Sequence, residues 1–194
     1  MNIAWFKRDL RTFDNEMLYN AVKYGEVCPL YIFEIDLWKN SELGYRHYEF
    51  LKQSLLDLDR SLKYIGLNLN IETGNCLEIF DKYKNKYNFN TLWSHEETWN
   101  HWTRSRNTKV ADWCNENNIQ WRKFPQNGVV KNLKNRDGWS SNWYTRMTRC
   151  QFRTPDVKKE LVANKNYFPS LARLKLKQEK NDIFIKGGRT NALK

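Results

Sequence analysis

Up to residue 124 the chain alternates between five short apolar runs and four stretches whose apolar residues recur at helical spacing, and this alternation narrows the possible folds more than any other feature. The runs read as strands at residues 3–6, 27–33, 67–71, 91–94 and 119–124, each too short for a buried helix and bounded by turn-forming or charged residues. Helices are predicted over 15–24, with Asp14 as N-cap, and over 48–65, 75–87 and 103–117. The second is the clearest: Tyr48, Leu51, Leu55, Leu58, Leu62 and Ile65 recur at spacings of three and four, and Gly66 stops it. Strands joined through helices pair in parallel. The expectation is a Rossmann-like, doubly wound α/β domain over residues 1–125, with a mainly parallel five-stranded sheet covered by helices on both faces. Beyond Pro125 the alternation ends, and 126–194 reads as a basic connecting segment, with 126–154 as loop and irregular turns.

In such a sheet, ligands bind outside the carboxyl ends of the strands. Two clusters fall there. The first strand runs into the turn FKRDLRTFDN, where Arg8 and Arg11 flank Asp9; ion pairs would hold this turn to the sheet, or the turn would wall a ligand crevice. The fourth strand runs into SHEETWNHWTRSRN. There Glu96 and Glu97 are acceptors, Trp99 and Trp102 are flat surfaces, and Asn100 and Arg104 can hydrogen-bond. That mixture suits a planar heterocycle, or else a helical packing pair of the two tryptophans. HEETWNH has the wrong spacing for a zinc helix and no third ligand is evident, so no metal site is predicted. His47 is placed on the polar side of the long helix, in solvent.

A third cluster lies in NGVVKNLKNRDGWSSNWYTRMTRCQFR. Lys131, Lys134, Arg136, Arg146 and Arg149 interleave with Trp139 and Trp143, as on a surface that tracks phosphates and stacks bases, or on one that docks a neighbouring domain. The net charge of +11 favours a polyanionic partner such as nucleic acid, although a lysine- and asparagine-rich background, visible in NKYNFN and NENN, gives the same balance. Cys28, Cys76, Cys114 and Cys150 show no CxxC spacing and read as reduced, mostly buried thiols. No leader or membrane-length apolar run is present, which predicts a soluble cytoplasmic protein. The nine tryptophans are spread along the chain and read mostly as core or interface residues. A nucleotide-using enzyme is disfavoured by the lack of GxGxxG, a P-loop or a glycine-serine-rich loop after the first strand.

The string IAWFKRDLRTFDN closely resembles WFRRDLRxxDNxAL, the opening signature of the DNA photolyase and cryptochrome family. Three further stretches agree. Residues 94–114 stand where many photolyases carry YExNExxRD; Arg104 and Arg106 keep the arginines, Asn107 replaces the aspartate, and Trp102 and Thr103 replace the asparagine and glutamate. The basic segment resembles QxGVVRxLxxRDGW of a bacterial branch, where it connects two domains. YFPSLARLKL and IKGGRTNALK resemble the family linker that leads into a helical FAD domain, at whose first turn this sequence stops.

The resemblance implies a light-harvesting domain that holds an antenna chromophore, whether folate, deazaflavin or flavin, against Arg8, Asp9, Arg11, Glu96, Glu97, Trp99, Asn100, Trp102 and Arg104. The departures at Trp102 and Thr103 weigh against folate there. FAD, the light-driven DNA repair or signalling, and the contact with damaged DNA would belong to the C-terminal helical domain as partner. No photorepair is expected of this chain alone, and a free-standing basic nucleic-acid-binding module is the alternative.

Overall fold

The computed structural model describes residues 1–39, 42–130, 134–157, 166–179 and 185–194. Its centre is β1 (Asn2–Phe6), in which every residue is buried. Side chains of a strand point alternately to the two faces, so Ala4 and Phe6 enter one core layer while Ile3 and Trp5 enter the other. The same division runs through β2 (Val27–Phe33) and β4 (Thr91–His95). With β3 (Asn70–Thr73) and β5 (Gln120–Phe124) they form one parallel sheet in the order β3-β2-β1-β4-β5. Both faces are covered, as the alternation predicts. On one side lie α1 (Glu16–Tyr24) and α3 (Tyr45–Tyr64), contributing Met17, Leu18, Leu55, Leu58 and Leu62. On the other lie α4 (Cys76–Tyr87) and α5 (His101–Glu116), contributing Ile79, Phe80, Val110 and Trp113.

Several expectations need correction. Asn15, not Asp14, caps α1, its side chain accepting from the Leu18 N–H at 2.8 Å. Asp14 instead takes a left-handed turn (φ 49°), and its N–H donates to the Phe152 carbonyl at 2.8 Å. The third strand starts at Asn70 rather than at residue 67. Leu67 and Leu69 are buried beneath the helical layer, and the Leu67 N–H is held by the Leu62 carbonyl at the end of α3, so the ladder begins only past them. A short α2 (Ile35–Lys39) follows β2, where no helix was expected.

The basic segment is not all loop: α6 (Trp139–Met147) forms in it, after Gly138 in a left-handed conformation (φ 69°). None of its residues is buried, so the core-facing stripe that marks α1, α3, α4 and α5 is missing. Its two tryptophans pack on the preceding loop. The Trp139 indole N–H donates to the Gly128 carbonyl at 3.3 Å, and the Trp143 ring lies so close that a Cβ on Gly128 would sit 2.1 Å from it. A four-residue α7 (Arg189–Ala192) lies against α3. Among the described residues no helix is long and apolar enough to cross a membrane.

Candidate functional site

β1 and β4 are neighbours, and their outer partners β2 and β5 lie on opposite sides, so the strand order reverses at the β1–β4 pair. That is the switch point at which doubly wound sheets bind ligands. Two of the predicted clusters meet there. Asp9 is 1% exposed, and at 2.6 Å its carboxylate accepts the Nδ1 proton of His95 from the end of β4. The Lys7 N–H donates to Asp9 at 3.0 Å, and the Asn15 amide donates to the Asp9 and Arg11 carbonyls at 3.2 and 2.9 Å. The turn is therefore pinned from inside by a buried pair, not by the Arg8–Asp9–Arg11 ion pairs that the sequence suggested. Arg11 turns back onto the Asp14 carbonyl, and Arg8 reaches Glu97.

Arg106 is the centre of a second buried network. Its Nη1 donates to Glu34 at 2.5 Å, its Nη2 donates to Glu97, and its guanidinium lies 4.6 Å from the Trp5 ring centroid. Glu34 follows β2 directly and Glu97 follows β4, so one arginine ties together two strand ends across β1. Burial pushes Glu34 above the ordinary carboxylate range although Arg106 pulls it down. Burial likewise lowers the Lys7 ammonium to about 8, against the pull of Glu97. Lys7 sits 4.8 Å from the Trp5 ring, and among the described residues it has no carboxylate in contact.

Asp9 behaves differently. Burial would raise its pKa, but the hydrogen bond and charge of His95 hold it below the ordinary 3.8. Its contribution to stability is therefore complete above the unfolded value and is lost as pH falls through the folded one. Asp9→Asn is expected to cost about 3 kcal/mol at pH 7. In urea titrations at a series of pH values, the gap between wild type and variant should close below about pH 4. A gap of constant size down to pH 2 would show that the Asp9 charge is irrelevant.

Beside these networks opens a cavity of about 300 Å³, walled by Phe6, Tyr31, Trp38 and Leu51 and edged by Lys7 and Arg8. Trp99 stands at the same cavity, stacked on Arg8 with 3.6 Å between guanidinium and ring centroid. The volume is at the lower end of small-molecule pockets, and the lining has the usual composition of an apolar body with a few polar groups. A smaller hollow of about 170 Å³ adjoins it, lined by Asp9, Glu96, Glu97, Trp99 and His95.

The predicted residues thus divide. Arg8, Asp9, Glu96, Glu97 and Trp99 converge at the switch point. Trp102 lines a separate cleft with Arg106, Glu34 and Cys76, and Trp99 precedes α5, so the two tryptophans are not a helical pair. Asn100 is the N-cap of α5, and Arg104 is exposed on that helix. Sequence reasoning left Lys7, Glu34, His95 and Arg106 out of the site. For Arg106 a signal existed: with Thr103, Val110 and Trp113 it falls on the buried stripe of α5. His47 is exposed but not merely solvated, since its Nδ1 accepts the Gly44 N–H at the start of α3.

In the basic segment, Lys134 and Arg136 are exposed, whereas Arg146 donates to the Pro125 carbonyl and Arg149 pairs with Glu16 at 2.5 Å. Lys131 lies outside the described residues. Trp139 and Trp143 stack with ring centroids 6.5 Å apart. Cys28, Cys76 and Cys114 are buried free thiols, and burial pushes Cys28 and Cys114 up to about 12, so they are poor nucleophiles. Cys150 is exposed, so most but not all of the four thiols are buried, as the sequence suggests.

Comparison with known proteins gives a consistent picture. The DNA photolyase family model matches residues 2–158. Cryptochrome DASH of Arabidopsis thaliana is 31% identical over 105 residues, covering 50% of this chain and 18% of that protein. Cryptochrome-1 of Aedes aegypti is 28% identical over 120 residues, covering 58% and 22% respectively. Among solved structures, an archaeal photolyase from Sulfolobus tokodaii with two FAD molecules aligns over 100% of this chain and 45% of its own, at 22% identity and a TM-score of 0.72. A cryptochrome of Synechocystis aligns over 100% and 44%, at 18% identity and a TM-score of 0.75. The chain spans less than half of those structures and about a fifth of those two relatives.

Proposed function

Because the chain belongs to the DNA photolyase family through the match over residues 2–158, we propose that it is the light-harvesting α/β domain of such a protein, and that the crevice at the carboxyl edge of β1, β2 and β4 holds an antenna chromophore. The supporting observation is the 300 Å³ cavity with aromatic walls and a cationic edge. Its chemistry fits a planar, partly anionic heterocycle: Phe6, Tyr31 and Trp38 offer faces and edges for the ring system, and Lys7 and Arg8 offer cations for an acidic group. Such a chromophore absorbs near-ultraviolet or blue light and passes the excitation on. The residues here bind it, orient it and exclude water.

The test is reconstitution. Protein mixed with FMN, a deazaflavin or a reduced folate and freed of excess ligand should retain near-ultraviolet or blue absorption. Arg8→Ala, which removes one of the two cations at the cavity edge, should weaken retention about tenfold. Colourless protein with all three, and no change in tryptophan fluorescence on titration, would remove the antenna role.

The rest of the activity follows from the family reading. FAD, and the photorepair or blue-light signalling it supports, would reside in a helical domain beyond this one, and damaged DNA would be met by that assembly. The exposed Val129, Val130, Trp143, Tyr144 and Met147 form an apolar edge suited to such a domain. The nucleic-acid alternative rests on Lys134, Arg136 and the net charge of +11. Titration with single- and double-stranded DNA at two salt concentrations separates the readings, because phosphate binding must weaken steeply with salt.

A further inference from the structure

The C-terminal residues form a strap over α3. Leu174 is 1% exposed and Phe168, Leu171 and Leu176 pack on the core beside it, while the Tyr48 hydroxyl donates to the Pro169 carbonyl at 2.8 Å. The strap then reaches α3 again at Gly187 and Gly188. The Gly187 N–H donates to Gln53 at 2.9 Å and the Gly188 N–H to the Ser54 hydroxyl at 3.0 Å. There is no room for side chains here. A Cβ on Gly187 would lie 2.1 Å from the Phe50 carbonyl oxygen, and one on Gly188, at φ +103°, would lie 2.9 Å from the Asp57 Cβ.

Gly188 is the N-cap of α7 and has no side chain with which to cap it. The cap comes from α3. Asp57, 6% exposed, accepts the Thr190 N–H at 3.2 Å with Oδ2 and the Thr190 hydroxyl at 2.8 Å with Oδ1. Arg60, one turn on, donates to the same carboxylate at 3.2 Å. A carboxylate at the second N–H of a helix does what an N-cap aspartate does within one helix, with favourable charge against the helix end.

We propose that Asp57 is the latch of this strap: a capping residue supplied by α3 that fixes where α7 starts and in which direction it leaves the α/β layers. Under the functional reading above, that direction sets the position of a flavin domain carried beyond α7 relative to the antenna crevice. This last step rests on that reading; the latch does not, and its test needs no chromophore.

The test uses the 194-residue chain. Tryptic cleavage after Lys186 and Arg189, and hydrogen exchange of the Thr190 amide, are compared between wild type, Asp57→Ala, Asp57→Asn and Thr190→Val. Two hydrogen bonds to a charged acceptor predict that Asp57→Ala speeds both processes about tenfold or more. Asp57→Asn, which keeps one acceptor, should restore part of the protection, and Thr190→Val should lose part of it. The global unfolding midpoint of the last two should stay near that of wild type. Wild-type cleavage and exchange in Asp57→Ala would overturn the latch. Should Asp57→Ala fail to fold, wild-type rates in both Asp57→Asn and Thr190→Val would overturn it equally.

Discussion

Arg106→Leu is expected to lower the thermal midpoint by roughly 6–20 °C, the counterpart of about 3–5 kcal/mol in a domain of this size. The reason is what stays behind. Arg106 is 6% exposed, and the side chains of its partners Glu34 and Glu97 are 8% and 6% exposed. Removing the guanidinium leaves two carboxylates in a poorly solvated place, held apart only by the repulsion that Arg106 had reversed. Glu34 is already pushed upward by burial, so it would take up a proton first. Among the described residues, Glu97 would keep only its weaker contact with the half-exposed Arg8, at 3.5 Å.

The chemistry of the loss sets the controls. Arg106→Lys should recover little, because one ammonium cannot span two carboxylates that the guanidinium bridges through its two terminal nitrogens while lying 4.6 Å from the Trp5 ring centroid. The triple variant Arg106→Leu, Glu34→Gln, Glu97→Gln should recover most of the midpoint, since uncharged amides replace the stranded carboxylates. Differential scanning calorimetry decides the matter. A midpoint for Arg106→Leu within about 2 °C of wild type would mean that water already reaches these carboxylates.

The layers of the fold were legible in the sequence because they depend on local period. Residues 27–33 form a strand in the structure over the same residues as predicted, and Tyr48, Leu55, Leu58 and Leu62 face the core as their spacing requires. What failed locally was set by distant parts of the chain. Asp14 lost the cap to Asn15: its carboxylate accepts the Phe152 N–H instead, a contact across 138 residues.

The site shows the same limit more sharply. Spacing put Asp9 between two arginines, but burial gave it to His95, 86 positions away, and gave Arg106 to Glu34, 72 positions away. Partner choice among charges follows which carboxylates lose their water, and that is a property of the assembled strand ends. Arg8, Glu97 and Trp99 could be named beforehand because they lie at two carboxyl edges that the strand order joins. Which of the three touches which could not be read from spacing.

The alternation of strands and helices is complete at residue 124, and the family match ends at residue 158, so residues 1–125 or 1–158 would each be a natural fragment to express. Neither is expected to unfold cooperatively. Losing the strap uncovers Leu174, worth about 2 kcal/mol when fully buried, and strips Phe168, Leu171 and Leu176 from the core at about 1 kcal/mol each if half-buried. It also breaks the hydrogen bonds of the Tyr48 hydroxyl and of the Ile71 N–H, which the Asn166 side chain accepts at 3.1 Å, at about 1 kcal/mol apiece. The sum, an upper bound near 7 kcal/mol, is comparable with the whole stability of an ordinary domain. Cutting back to residue 125 removes more, because Phe152 and Arg149 then no longer hold the turn at Asp14 and the start of α1. Circular dichroism against urea is the measurement: the full chain should give one sigmoidal transition, and the two fragments a shallow drift with exposed apolar surface that binds a hydrophobic dye. A sharp transition in 1–125, with a midpoint close to that of the full chain, would mean that the strap only decorates a self-sufficient sheet and that residues 126–194 are a connector after all.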